Sequence, residues 1–372
     1  MANACRVGYA AGMSTLSLWF ASGEEGLSVR RFAVREGLSA LFEVNITARS
    51  PNDDVDFAAI VGQPAAFRLV QALANATPAS RTWRGICSHA EQTQVERTGL
   101  STYELRIVPV LWLLTQRRNH RIFQHESIPA IVTRLLAEWG IETAWHVDRA
   151  AYPKLEYRVQ YGETDFSFVS RLLEEAGICY RADDTDEGSK VALFDAIDTG
   201  DTRADGPVRY VDHPNEAAQR EYVTRVRIAH EVRPGKLTLR DFDFRRRPDY
   251  PLFATAALEK PDDARLERYV YAPGSFVAEG AKGGDTPVAD DKGVARAQEK
   301  IGNLRAERAL AAERVRKRRL AFDTNVAALC PGTIFSIEGH SHADVAPDKR
   351  WLVEELSLEG EHDAEWHMRA RM

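Results

Sequence analysis

At 372 residues, 44% of them hydrophobic and 28% charged, the chain can bury one large core or two to three smaller ones, and it is too apolar to be disordered as a whole. Its 49 Lys and Arg against 55 Asp and Glu leave a formal net charge of -6, which gives no global attraction for nucleic acid or an anionic membrane surface. The four cysteines, Cys5, Cys87, Cys179 and Cys330, lie far apart without a CxxC pair, which argues against a zinc ribbon or disulfide framework and for reduced thiols in a cytosolic protein.

In chain order, the uncharged segment 7–20 follows Arg6 and loosely imitates a secretory signal. Gly8 and Gly12 interrupt it, however, and Leu16, Leu18 and Phe20 alternate with Ser17 and Trp19, the period of a first strand. Over 27–48 the same period continues: Phe42, Val44 and Ile46 point one way while Glu43, Asn45 and Thr47 point the other. Ser50-Pro51-Asn52-Asp53 breaks the run, and strand-like pieces follow at 66–69, 82–88 and 103–110. A small antiparallel barrel or sandwich closes such a set. The longest wholly apolar stretch, Ile107 to Leu114, contains Pro109 and is far shorter than the roughly 20 residues of a membrane-spanning helix.

Ser127 then reads as an N-cap, with Ile131, Val132, Leu135, Leu136 and Trp139 on one helical face and Gly140 as the stop. A second helix repeats the grammar: Thr164 as cap, Asp165 at the positive end, a buried stripe of Phe166, Val169, Leu172, Leu173 and Ala176, and Gly177 as the stop. Both end in Leu-Leu-x-Glu-x-Gly-Ile and lead into a strand-like segment, so two similar helix-to-strand units are expected. Asp183-Asp184-Thr185-Asp186-Glu187-Gly188 offers no frame with calcium-loop spacing and reads as a polar hairpin turn.

Strands resume at 222–230, and Pro234-Gly235-Lys236 reads as a turn before Leu237, Leu239, Phe242 and Phe244, which suggests a hairpin. The stretch 250–291 is rich in Pro and Gly, with Gly280, Gly283 and Gly284 close together, and it leads into a charged helical pattern through Arg308 and Arg314. The cluster Arg314, Arg316, Lys317, Arg318 and Arg319 lacks interleaved aromatics and reads as a solvated or interface surface rather than a phosphate grip. Strands return over 333–358.

His340, His342 and Asp344 form an HxHxD that imitates the metal site of metallo-β-lactamase-like hydrolases. Val345 stands where a histidine is needed, and only His362, Asp363 and His367 follow. The segment therefore reads as a strand-to-turn element. G-x-S-x-G, a P-loop and G-x-G-x-x-G are all missing from the chain. The expectation is no catalytic residue, no bound metal, no cofactor and no enzyme activity.

The strongest signal is the run from Tyr157 to Tyr180, which carries Tyr157, Gln160, Tyr161, Glu163, Asp165, Phe166, Phe168, Arg171, Leu172, Leu173, Glu174, Gly177 and Tyr180. It closely resembles a signature of the VgrG spike proteins of type VI secretion machines, Q-Y-x-E-S-D-x-x-F-x-x-R-L-L-E-x-x-G-I-x-Y, with Thr164 for the commoner serine. Further blocks occur in the family's order: 42–48, 84–86, 103–114, 121–124, and Leu329 to Phe335 with Pro331 and Gly332, then Gly339-His340. What these residues specify is expected to be packing.

The resemblance implies the family's N-terminal, phage-hub-like region: a predominantly β fold of two similar antiparallel barrels with an inserted α/β part. On that basis 1–118 is the first barrel, 211–250 with 320–372 the second, and 119–210 with 251–319 the insertion. The implied role is structural: a homotrimer whose two barrels per subunit form a pseudo-hexameric ring, adapting the spike to the hexameric Hcp tube for effector delivery. Baseplate components are implied partners, and effectors or adaptors would bind through C-terminal parts that follow in the family, so the chain is a truncated piece or a short relative. Assembly in the cytoplasm and later secretion into the medium or a target cell are implied, without nucleic-acid binding or stable membrane insertion. The alternatives are a hub of a prophage or other contractile injection system, and a hydrolase built on the same scaffold.

Overall fold

The computed structural model describes residues 15–71, 79–185, 188–214, 220–243, 249–258, 263, 265–278, 298–362 and 366–372. Residues 7–14 of the expected first strand, Asp186 and Glu187 of the expected turn, Phe244, Gly280, Gly283, Gly284 and Asp363 lie outside the described residues.

The first third is built of strands because its apolar residues recur every second position. They are β1 (Thr15–Phe20), β2 (Ser28–Gly37), β3 (Glu43–Ser50), β4 (Pro64–Gln71), β5 (Ala79–Gln94) and β6 (Ser101–Val108). Phe42, Val44 and Ile46 are buried on the inner face, as their alternation predicts. In the break after Ser50 sits a single helical turn, α1 (Phe57–Ile60), where the Asp56 carboxylate accepts from the Ala58 and Ala59 amides.

The middle of the chain contributes β7 (Arg118–Glu126), α2 (Ile128–Ala137), β8 (Thr143–His146), β9 (Leu155–Thr164), α3 (Asp165–Ala176), β10 (Cys179–Thr185) and β11 (Gly188–Phe194). β7 and β9 form an antiparallel ribbon, and β10, β11 and β8 a small sheet in which β10 and β11 make the expected hairpin, Thr185 opposite Gly188. The Ser127 hydroxyl caps α2 by accepting from the Ala130 amide. One apolar cluster joins both helices to these strands, including Phe123, Leu135, Phe168, Leu172 and Leu193.

After β12 (Val208–Arg209) and β13 (Val223–His230) come β14 (Lys236–Arg240), β15 (Phe253–Ala257), β16 (Glu267–Tyr271) and α4 (Glu299–Arg314). The expected hairpin at Pro234-Gly235-Lys236 does not form: β13 pairs with a later strand, whereas β14 lies between β15 and β16 in a separate sheet. Turn residues permit a reversal but do not choose the partner. Leu237 and Leu239 find apolar cover on Phe276, Ala306 and Leu310, in a third cluster centred on α4. Gly302 lets α4 approach, because a Cβ there would lie 2.0 Å from Phe276 Cε1.

The chain finishes with β17 (Arg318–Thr324), β18 (Ile334–Phe335), β19 (Ile337–Glu338), β20 (Trp351–Leu352), β21 (Glu355–Glu361) and β22 (His367–Arg371). The large sheet has ten strands in the order β1-β4-β5-β6-β3-β2-β21-β22-β17-β13. Its first six strands curl enough that β1 touches β2 across the half-barrel. The fold is thus predominantly β, as expected. The alternation did not reveal that early and late strands join through β2 and β21, Arg31 opposite Glu361 to Gly37 opposite Glu355, over one shared core.

Candidate functional site

The signature run occupies β9, α3 and the start of β10, so a strand hands directly to a helix. The Thr164 hydroxyl accepts from the Ser167 amide and caps α3. Beside it Asp165 is fully buried. Its Oδ2 accepts from Arg117 Nε at 2.6 Å and Trp139 Nε1 at 3.3 Å, and its Oδ1 from Gln160 Nε2 at 2.8 Å. The Asp165 amide donates to the Arg117 carbonyl at 3.0 Å, so the two residues hold each other through side chain and backbone.

Arg117 also donates to Glu138 at 2.6 Å, and its guanidinium lies 4.7 Å from the Trp139 ring centroid. Burial alone would lower the Arg117 pKa, but its hydrogen bonds to Glu138 and Asp165 outweigh this and raise it. Asp165, expected only to favour the helix's positive end, instead ties the strand entry, both helices and β9 together. Arg117 escaped the sequence reading because nothing local distinguishes it from Arg118. Its role depends on Trp139 and Asp165 arriving from elsewhere.

On the next turn of α3, Arg171 donates to Glu163 Oε1 at 2.6 Å, the Val159 carbonyl at 3.2 Å and Glu175 at 3.4 Å. Phe168 stacks on Phe123 with centroids 5.3 Å apart, and Leu172 and Leu173 are buried beside them. Phe166, expected in the buried stripe, is only partly covered and packs at the cluster's margin. Gly177 ends the helix with φ +67°, a conformation that favours glycine. Tyr180 is buried at the start of β10, while Glu174 is exposed.

Two signature tyrosines face outward: Tyr157 is 51% and Tyr161 80% exposed, on the ribbon face that also carries Ile122. Pro331 is buried, its carbonyl accepting from Arg181 of β10 at 3.3 Å, and the Gly332 amide donates to the Val353 carbonyl. Pro331 therefore joins the late strands to the α/β part, while Gly332 ties two late segments together, both away from the Asp165 cluster.

The remaining motifs resolve into local bonds. The His342 amide donates to His340 Nδ1, and the Asp344 amide to His342 Nδ1, each at 3.1 Å. Asp344 Oδ2 lies 2.7 Å from His230 Nε2, and its other oxygen 3.4 Å from Arg318. In the basic cluster, Arg314 and Lys317 share Asp263, Arg319 pairs with Glu231, and Arg316 is exposed. The signature polar groups hold one another, an arrangement suited to fixing the strand-to-helix geometry.

The family described as phage tail baseplate hub (GPD) matches residues 35–364. The Pseudomonas aeruginosa type VI secretion system spike protein VgrG4b is 30% identical over 338 residues, which cover 90% of this chain and 38% of that protein. Its VgrG1b is 28% identical, covering 89% of this chain and 41% of that protein. The chain thus spans about two fifths of the length of these curated relatives. Among solved structures, the Escherichia coli c3393 protein, a type VI secretion component with structural similarity to T4 tail proteins gp27 and gp5, superposes with TM-score 0.61 at 20% identity, over 95% of this chain and 76% of that one. A tail protein from Neisseria meningitidis superposes with TM-score 0.63 at 12% identity, over 96% of this chain and 95% of that one.

Proposed function

We propose a structural role from one premise: the chain belongs to the phage tail baseplate hub (GPD) family, and its curated relatives are VgrG spike proteins of type VI secretion systems. Three copies assemble into a ring at the base of a spike. Each copy offers two groups of strands, which meet at the β2–β21 pairing. Three copies then present six similar faces, which can meet a hexameric Hcp tube without symmetry mismatch. The ring-forming parts are residues 1–118 and 211–230 with 320–372, and 119–210 with 231–319 is the insertion. Because β14 packs with α4, we draw the inner edge of the second part near His230.

The protein assembles in the cytoplasm, with Hcp and baseplate components as partners, and leaves the cell with the spike; the type VI secretion names of its relatives support the secretion. Its contribution is geometric rather than catalytic, without cofactor or nucleic acid, and effectors or adaptors engage the spike's C-terminal parts. Among the described residues no helix is long and apolar enough to cross a membrane.

The observation that supports this reading most is the family match, which runs through both strand groups and the insertion. Light scattering and co-purification with an Hcp ring test it. A trimer that co-elutes with Hcp is the expected result, and a monomer at all concentrations that ignores Hcp would sink the reading. A second reading, a hub of a contractile phage tail, is favoured by the near full-length superposition on the Neisseria tail protein. A trimer that binds a phage tube protein and not Hcp selects it.

A further inference from the structure

Between α3 and α4, beside β9, lies a cleft of about 460 Å³ that no part of the hub reading uses. Four arginines line it, Arg158, Arg171, Arg305 and Arg308, against the two glutamates Glu174 and Glu175. Arg171 is already held by Glu163 and the Val159 carbonyl. Arg308 reaches out over Tyr152, 5.8 Å from its ring centroid.

Arg158 and Arg305 are placed differently. Their side chains are only 11% exposed, and both guanidinium groups lean on the same oxygen, Glu175 Oε2, at 3.4 and 3.5 Å. Arg171 takes the other oxygen at 3.4 Å. All three distances sit at the outer limit of hydrogen bonding, so one carboxylate is stretched among three cations. Arg158 Nε is buried without a hydrogen-bond partner. Arg305 spends one amine on the Gly274 and Ser275 carbonyls, and the nearby Asp241 carboxylate is occupied by the Gly274 and Phe276 amides. Burial first, then repulsion from Arg158, pulls the Arg305 pKa down to about 10, against the attraction of Glu175 and Asp241.

We propose that this cleft binds an oxyanion, the phosphate or carboxylate group of a small organic ligand, between Arg158 and Arg305 and in competition with Glu175. Guanidinium forks match the oxygen spacing of both groups. Leu239, Val277 and Ala309 provide an apolar wall for the organic body.

The test is calorimetry and thermal unfolding of the full chain with inorganic phosphate, and separately with acetate, at ionic strength fixed with chloride. Saturable binding of phosphate, of acetate or of both supports the site, and which one binds names the source of the oxyanion. Glu175→Gln removes the competing carboxylate and should tighten that binding by about tenfold, a gain that misfolding cannot imitate. Arg158→Gln should weaken it by about tenfold. If neither anion binds saturably, or if Glu175→Gln binds no more tightly than the parent, the proposal is overturned.

Discussion

Replacing Asp165 tests whether the signature acts through a buried polar latch. The carboxylate is fully buried and accepts from three donors on three chain segments. Asp165→Ala strands the Gln160, Trp139 and Arg117 donors, and removing one partner of a buried ion pair costs about 3 to 5 kcal/mol. Arg117 is one-third exposed and keeps Glu138, so the lower part of that range, about 3 kcal/mol, is expected. Asp165→Asn keeps the shape and one acceptor. Turning Gln160 Oε1, which has no hydrogen-bond partner, towards the new amide gives up the Nε2 bond to the Glu163 carbonyl, so a loss of about 2 kcal/mol, the weight of a charge-assisted bond, remains. Urea unfolding followed by tryptophan fluorescence and circular dichroism reads both losses as a lowered midpoint. Combined with Arg117→Ala, the cycle should show a coupling of about 1 to 3 kcal/mol. If Asp165→Ala unfolds within about 0.5 kcal/mol of the parent, or adds simply to Arg117→Ala, the latch does not exist.

Leu172→Ala, at a fully buried position beside Phe168, should cost about 2 to 5 kcal/mol and lower the melting temperature, whereas the exposed Arg316→Ala should stay within about 0.5 kcal/mol. Equal melting of the two variants would remove α3 from the core. Gly177→Ala forces a side chain into a left-handed φ of +67° and sets its Cβ 2.7 Å from Arg308 Cδ. It should cost about 1 to 2 kcal/mol, and a neutral outcome in the same assay would contradict that backbone geometry. Burial pushes Tyr152 and Tyr180 up to about 12 from 10.0, with a hydrogen bond to Asp195 adding to the effect on Tyr152. The folded state therefore holds protons that the unfolded chain releases. The stability they contribute is complete below pH 10 and lost as pH rises towards about 12. A spectrophotometric titration should show these two of the 11 tyrosines ionising late. Ionisation of all of them near pH 10 in the intact fold would refute their burial.

The amino-acid sequence by itself determined the elements whose cause is local. Phe42, Val44 and Ile46 become strand because alternation puts them on one face. Ser127, Thr164 and Gly177 delimit helices because capping and left-handed closure need only neighbours in the chain. The Tyr157–Tyr180 run is dense enough in such local signals to identify the family unaided.

Pairing across long separations was decided only by the tertiary structure. Nothing near Arg31 says that it lies opposite Glu361, and nothing near Lys236 says that β14 leaves β13 for β15 and β16. The same holds for Asp165, whose partners Arg117, Trp139 and Gln160 are gathered by folding. A carboxylate's burial and bonds depend on which segments close over it, and strand partners are chosen by the apolar surface available across the core. Periodicity reports which way a side chain points, and the fold decides what it meets.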